Sequence, residues 1–137
     1  MEEKYYSVEE VSFAKGILTV RVASLHTGQP DGLIGLPLTK TPESRSYLVT
    51  FKQVGRFRVL REPWNQLKDP FESLAKFVHR QLQSPYLAQN LESVTIFNPD
   101  VPHGAQVQHY VVYGENYVVD VLAADSPTIR QLDRQSS

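Results

Sequence analysis

The residues best suited to chemistry in this chain are two carboxylates and a histidine. Asp120 interrupts an otherwise apolar run, and Glu62 follows a strand-like segment shortly before Trp64, the single tryptophan. A carboxyl group buried among apolar side chains has a raised pKa and can act as a general acid or base. We therefore take Glu62, His109 and Asp120 as candidates for an acid–base site, with Trp64 as a residue that would line a ligand pocket.

Each of these residues also has a structural interpretation, which is the more frequent one in proteins. A strand carboxylate usually faces solvent or accepts a backbone hydrogen bond. A histidine at the start of a strand usually makes structural hydrogen bonds with neighbouring groups. A lone tryptophan usually anchors the core. We therefore assign no catalytic residue and keep the enzymatic interpretation as an alternative to a binding function.

Positive charge is concentrated between residues 45 and 61. This stretch contains no acidic residue and five basic ones: Arg45, Lys52, Arg56, Arg58 and Arg61. With Phe51 and Phe57 nearby, it has the composition of a stacking platform for single-stranded nucleic acid. The alternation of residue types, however, places the aromatic rings on one strand face and the arginines on the other. We therefore keep Arg56 and Arg58 as candidate binding residues and treat nucleic-acid binding as an alternative function.

Sequence motifs for metal, nucleotide and acyl-transfer chemistry are missing from this chain. It has no cysteine, and its four histidines do not stand at metal-ligand spacing. No glycine-rich phosphate loop and no G-x-S-x-G motif occurs. We predict neither a metal site nor a cofactor. A Ser-His-Asp triad is defined by geometry rather than by spacing, so the sequence neither indicates nor excludes one.

The composition is that of one globular domain spanning residues 1–137. Hydrophobic residues make up 41% of the chain and charged residues 21%, and the formal net charge is -1. Residues 1–80 carry twelve lysines and arginines against nine acidic residues, whereas residues 81–129 carry five acidic residues and no lysine or arginine. No secretory signal and no apolar stretch of membrane-spanning length is present, so we expect a cytoplasmic protein of bacterial type.

Local patterns predict strands on both sides of one helix. Strands are predicted as a hairpin over Val8–Phe13 and Ile17–Val22, a second pair over Tyr47–Phe51 and Phe57–Leu60, a single strand over Val94–Phe97, and a hairpin over His109–Tyr113 and Tyr117–Leu122. Asp69 as N-cap and Pro70 at the first helical position predict the helix, whose apolar stripe is Phe71, Leu74, Ala75, Val78 and Leu82. We predict an α+β fold in which a mostly antiparallel sheet of about six or seven strands carries this main helix on one face.

Two segments have no regular pattern: a long loop over about residues 26–44 and a frayed tail over about residues 131–137. The loop is rich in glycine and proline, yet it contains four aliphatic residues, Leu33, Ile34, Leu36 and Leu38. Such residues either pack onto the domain or bind a partner. We predict a small non-enzymatic binding or protein-interaction domain, whose unknown protein partner, or a second copy of the chain, contacts this loop.

Overall fold

The computed structural model describes residues 5–27, 38–40, 44–61, 70–95 and 98–132. In chain order the elements are β1 (Tyr5–Ala14), β2 (Ile17–Thr27), β3 (Leu38–Thr39), β4 (Ser46–Phe51), β5 (Val54–Leu60), β6 (Phe71–Ala75), β7 (Val78–Gln81), α1 (Pro85–Thr95), β8 (Gln108–Tyr113), β9 (Val118–Ala123) and β10 (Thr128–Leu132). No helix among these residues is long and apolar enough to cross a membrane.

The strands form two five-stranded sheets, and all their pairings are antiparallel. The first sheet has the order β1-β2-β4-β10, with β3 paired to β2, and the second has the order β5-β9-β8-β7-β6. The prediction of mostly antiparallel sheet together with one helix is therefore confirmed for the described residues. The prediction of one sheet of six or seven strands is wrong, because the apolar faces of two sheets cover each other.

The core lies between the two sheets. Every second residue of the central strands points inward and is buried, as the period of two requires. The first sheet contributes Leu18, Val20, Val22, Val49 and Phe51, and the second contributes Val78, Tyr110, Val112, Val119 and Val121. The opposite face of the second sheet carries a smaller cluster under α1, formed by Tyr86, Val94, Val101, Val107 and Leu122.

The first and last predicted hairpins are confirmed as β1–β2 and β8–β9. Lys15 and Gly16 both have positive φ in the first turn, which suits the right-handed twist of a two-residue hairpin. The middle strand pair is wrong: β4 and β5 exist, but they belong to different sheets. Gln53, between them, also has positive φ, and the chain passes there from one sheet to the other.

The predicted helix after Asp69 is wrong. Where it is described, the segment forms the hairpin β6–β7, and Asp69 itself lies outside the described residues. β7 is an interior strand paired on both sides, so most of its residues are buried. The apolar residues of this segment therefore also fit the spacing of one face of a helix. Leu74 and Leu82, which the helix would bury, are 39% and 56% exposed.

The helix instead begins directly after Ser84, a residue at which the sequence pattern predicts a helix end. The Leu87 backbone N–H donates to Ser84 Oγ at 2.9 Å, and Pro85 occupies the first helical position. The strand predicted over Val94–Phe97 is therefore wrong at Val94 and Thr95, which end α1, while residues 96–97 lie outside the described ranges.

Strand is found at some of the described residues of both the predicted loop and the predicted tail. At the loop ends, residues 26–27 belong to β2 and residues 38–39 form β3. In the tail, residues 131–132 are paired with β4 as part of β10. A neighbouring strand thus orders the ends of segments that have no pattern of their own.

A pair of alanine variants distinguishes the β6–β7 hairpin from a helix. In a helix Leu74 and Val78 would share the buried stripe, whereas here Val78 is fully buried and Leu74 is 39% exposed. We expect Val78→Ala to lower the free energy of unfolding in urea by about 2 kcal/mol, and Leu74→Ala to lower it by less than about 1 kcal/mol. Equal losses in the two variants would contradict the hairpin.

Candidate functional site

A carboxylate is buried in the middle of the second sheet. Asp120 lies in the interior strand β9, and its side chain has no exposed surface. Because Val119 and Val121 point into the core between the sheets, Asp120 points to the opposite side, where α1 packs. An ionised carboxylate is stable at such a position only with charged or hydrogen-bonding partners.

Two neighbouring strands supply those partners. Arg58 stands directly opposite Asp120 in the β5–β9 pairing, and its Nε donates to Asp120 Oδ2 at 2.8 Å. On the other side, His109 of β8 places Nε2 at 2.7 Å from Asp120 Oδ1. The His109 side chain is 5% exposed and that of Arg58 is 43% exposed, so the network runs from the interior to the surface.

The network continues from the sheet to the helix. His109 Nδ1 lies 2.6 Å from Ser84 Oγ, the oxygen that also caps α1. One arrangement of protons satisfies every group: the His109 Nε2–H donates to Asp120, and the Ser84 hydroxyl donates to Nδ1. The Ser84 oxygen then accepts from the Leu87 N–H. Three strands and one helix are thereby joined by four polar side chains.

Tyr86 closes the network on its helix side. The Arg58 guanidinium lies 4.0 Å from the centre of the Tyr86 ring, a cation–π contact, and the ring meets His109 edge-on at 5.3 Å. Burial raises the pKa of Tyr86 more than the guanidiniums of Arg56 and Arg58 lower it. Arg56 lies close to the buried phenol oxygen but outside hydrogen-bond geometry, and this oxygen has no hydrogen bond within the described ranges.

The surface next to the network is cationic. β5 is an edge strand of the second sheet, and three exposed arginines lie on it and just after it. We call Arg56, Arg58 and Arg61 the arginine edge. No acidic residue occurs between residues 54 and 61, and no ion pair of Arg56 or Arg61 is found among the described residues.

A second polar group lies on the same face of this sheet, toward β6. His79 stacks on Phe71 with ring centroids 4.2 Å apart and contacts Tyr113 at 4.7 Å. Burial lowers the pKa of His79 below 6.5. Burial and the negative charge of Asp120 raise the pKa of Tyr113 to about 12. Both groups are therefore neutral in the folded protein near neutral pH.

Three of the predicted site residues converge here. His109, Asp120 and Arg58 share one hydrogen-bonded network, and Arg56 lies two residues from Arg58 on the same strand face. Glu62, Trp64, Leu33, Ile34 and Leu36 lie outside the described ranges, and of Leu38 only its place in β3 is described.

Sequence reasoning missed Ser84 and Tyr86. A signal for Ser84 is present, because serine followed by proline is typical of a helix N-cap and first helical position. The helix-like apolar pattern just before it hides this signal, since serine and proline after a helix also mark its end. The role of Tyr86 depends on contacts with β5 and β8, for which its neighbours in the sequence give no signal.

Comparisons with protein-family models, with curated proteins and with solved structures find no match to this chain. Within the described ranges, no three histidine, aspartate or glutamate side chains converge as a metal site would require.

Removing the charge of Asp120 tests the network. In Asp120→Asn, the amide oxygen cannot accept from both Arg58 and His109 as the carboxylate does, and the Arg58 guanidinium loses its counter-ion. We expect the free energy of unfolding in urea to fall by about 2–4 kcal/mol. The exposed Asp125→Asn is the matched control and should change it by less than about 0.5 kcal/mol. Similar stabilities of the two variants would show that the network contributes little.

The buried His79 predicts a pH dependence of stability. Its folded pKa is lowered below 6.5, so between that folded value and 6.5 the unfolded chain binds more protons than the folded protein. The free energy of unfolding therefore falls as the pH falls through this window. We expect His79→Phe, which keeps a ring against Phe71, to lose less stability than the wild type between about pH 7 and about pH 5 in urea titrations. An unchanged pH dependence would refute this assignment.

Proposed function

We propose that this protein is a binding domain that recognises an acidic, extended segment of a protein partner at the arginine edge. The observation that carries the proposal is the way Arg58 is held. Its Nε is bound by Asp120 and one face of its guanidinium lies on Tyr86. The two terminal amino groups make no further hydrogen bond among the described residues and remain for a ligand.

Holding the guanidinium in place favours binding. A free arginine loses rotamer entropy when it binds a carboxylate, whereas Arg58 has already lost it on folding. Its terminal amino groups can bind a carboxylate in the bidentate geometry that lysine cannot offer. Arg56, two residues away on the same strand face, adds a second positive charge without a carboxylate partner among the described residues.

The place of β5 in the sheet favours an extended ligand. β5 pairs with β9 on one side only, and no described strand pairs with its outer edge. An extended peptide can add to such an edge through backbone hydrogen bonds, while alternate side chains reach the strand face. Acidic residues at alternate positions of the partner segment would meet Arg56 and Arg58. The aliphatic residues Leu33, Ile34, Leu36 and Leu38 remain proposed as further anchors for the same partner.

The test is the binding of a fluorescent peptide with alternating glutamates, measured by anisotropy, against a peptide with lysines in their place. We expect Arg56→Glu to weaken binding of the acidic peptide about tenfold or more, which is about 1.4 kcal/mol. Arg130→Glu, an exposed arginine on β10 of the other sheet, is the matched control and should change binding less than about twofold.

The alternatives give different results in the same assay. Tighter binding of single-stranded DNA than of the acidic peptide, weakened by Arg56→Glu, would replace the proposal with the nucleic-acid alternative. Equal effects of Arg56→Glu and Arg130→Glu would show that the peptide binds by non-specific charge attraction. A sedimentation coefficient that rises with protein concentration and returns to the monomer value in Arg56→Glu would identify the partner as a second copy of the chain.

A further inference from the structure

We infer that Ser84, His109 and Asp120 also form a nucleophilic site that hydrolyses small carboxylic esters. Ser84 Oγ is 2.6 Å from one imidazole nitrogen of His109, and the other nitrogen is 2.7 Å from Asp120 Oδ1. A serine becomes a nucleophile when a base accepts its proton and a carboxylate holds that base in the correct tautomer. This is the order of groups found here.

The ring nitrogens are used in the reverse sense to the serine proteases, and this does not prevent the reaction. In those enzymes Nε2 faces serine, whereas here Nδ1 does. The chemical requirement is that the nitrogen facing serine carries no hydrogen while the other donates to the carboxylate. The proton arrangement derived above meets this requirement, because Nε2–H donates to Asp120 and Nδ1 accepts from Ser84.

Exposure and local geometry favour Ser84 as the attacking group. Ser84 is half-buried, whereas His109 and Asp120 behind it are shielded. It ends the turn between β7 and α1, so its oxygen lies at the positive end of the helix dipole. The Tyr86 N–H, in the first turn of α1, has no acceptor among the described residues. It is the donor that would stabilise the negative oxygen of a tetrahedral intermediate.

The reaction proceeds in two balanced halves. Ser84 Oγ attacks the ester carbonyl carbon and its proton passes to His109 Nδ1. The bond from carbon to the alcohol oxygen then breaks, and the leaving alcohol takes the proton from His109. A water molecule next attacks the acyl–Ser84 ester, giving its proton to His109. The bond from the acyl carbon to Ser84 Oγ then breaks, and Oγ takes the proton back from His109, which restores the Ser84 hydroxyl and releases the carboxylic acid. Ester and water are consumed, and acid and alcohol are formed.

The Arg58 ion pair sets the expected rate. The guanidinium offsets the negative charge of the Asp120 carboxylate, the third member of the site, so less of that charge is available to His109. The imidazolium formed during attack is therefore stabilised less than it would be by a carboxylate without an arginine. We expect slow turnover, and the arginine edge should favour esters that carry a negative charge on the acyl group.

The test is covalent labelling of the full chain with a fluorophosphonate, which reacts with activated serines, followed by mass spectrometry of the modified peptide. We expect the adduct on Ser84, and hydrolysis of p-nitrophenyl acetate that falls tenfold or more in Ser84→Asn and in His109→Gln. Asparagine is an efficient N-cap, so Ser84→Asn removes the nucleophile while α1 keeps its cap. Ser93→Ala, which removes an exposed hydroxyl from the same helix, is the control and should hydrolyse like the wild type.

Two results would overturn the inference: no adduct on the folded wild-type protein after prolonged incubation, or an adduct confined to other residues. Thermal melts of both variants show whether they remain folded. If either is unfolded, the position of the adduct on the wild type decides the question by itself. The peptide-binding proposal concerns Arg56 and Arg58, so a failed labelling experiment leaves it standing and a failed binding experiment does not affect this one.

Discussion

Burial of the Asp120 carboxylate is the constraint on which the second sheet depends. Transfer of an isolated carboxylate into an apolar interior costs several kcal/mol, far more than a single strand position recovers through packing. The cost is offset only if positive or donating groups reach it from both neighbouring strands. Arg58 on β5 and His109 on β8 do so at 2.8 Å and 2.7 Å. A shift of either pairing by one residue would turn the partner to the other face and leave the charge uncompensated.

The same constraint fixes the position of the helix. The two ring nitrogens of His109 lie at hydrogen-bond distance from Asp120 and from Ser84, and the Ser84 oxygen also caps α1. Close packing completes the attachment. An added Cβ at Gly55 of β5 would overlap Val94 of the helix, so only glycine allows this approach. Polar contacts thus align the start of the helix, and packing seats its last turn against the strand.

The molecule has an apolar core between its two sheets and a polar network on the side of the second sheet where α1 packs. The core between the sheets is built from aliphatic and aromatic residues. On the other side of the second sheet, a negative charge is buried at Asp120 and positive charges are exposed at the arginine edge. A surface guanidinium that is bound by a buried anion has little conformational freedom left to lose, which favours recognition of a charged partner. At the other end of the network, the half-buried Ser84 hydroxyl is held by its hydrogen bond with His109.

The sequence by itself determined the local features whose signals lie within a few residues. Alternating side chains around Lys15 and Gly16 predicted β1 and β2, because strand period and turn conformation are properties of adjacent residues. The apolar neighbours of Asp120 likewise mark this carboxylate as unusual from the sequence alone.

Only the tertiary structure decided which strands pair and what the marked residues contact. The segment that forms β6–β7 has a helix-like apolar pattern, and it is a hairpin because β8 supplies hydrogen bonds from residues about thirty positions away. Arg58 and Asp120 are 62 positions apart, and Ser84 reaches His109 across 25. Hydrogen-bond partners at such separations are chosen by the burial of whole sheets, and no window of neighbouring residues contains that information.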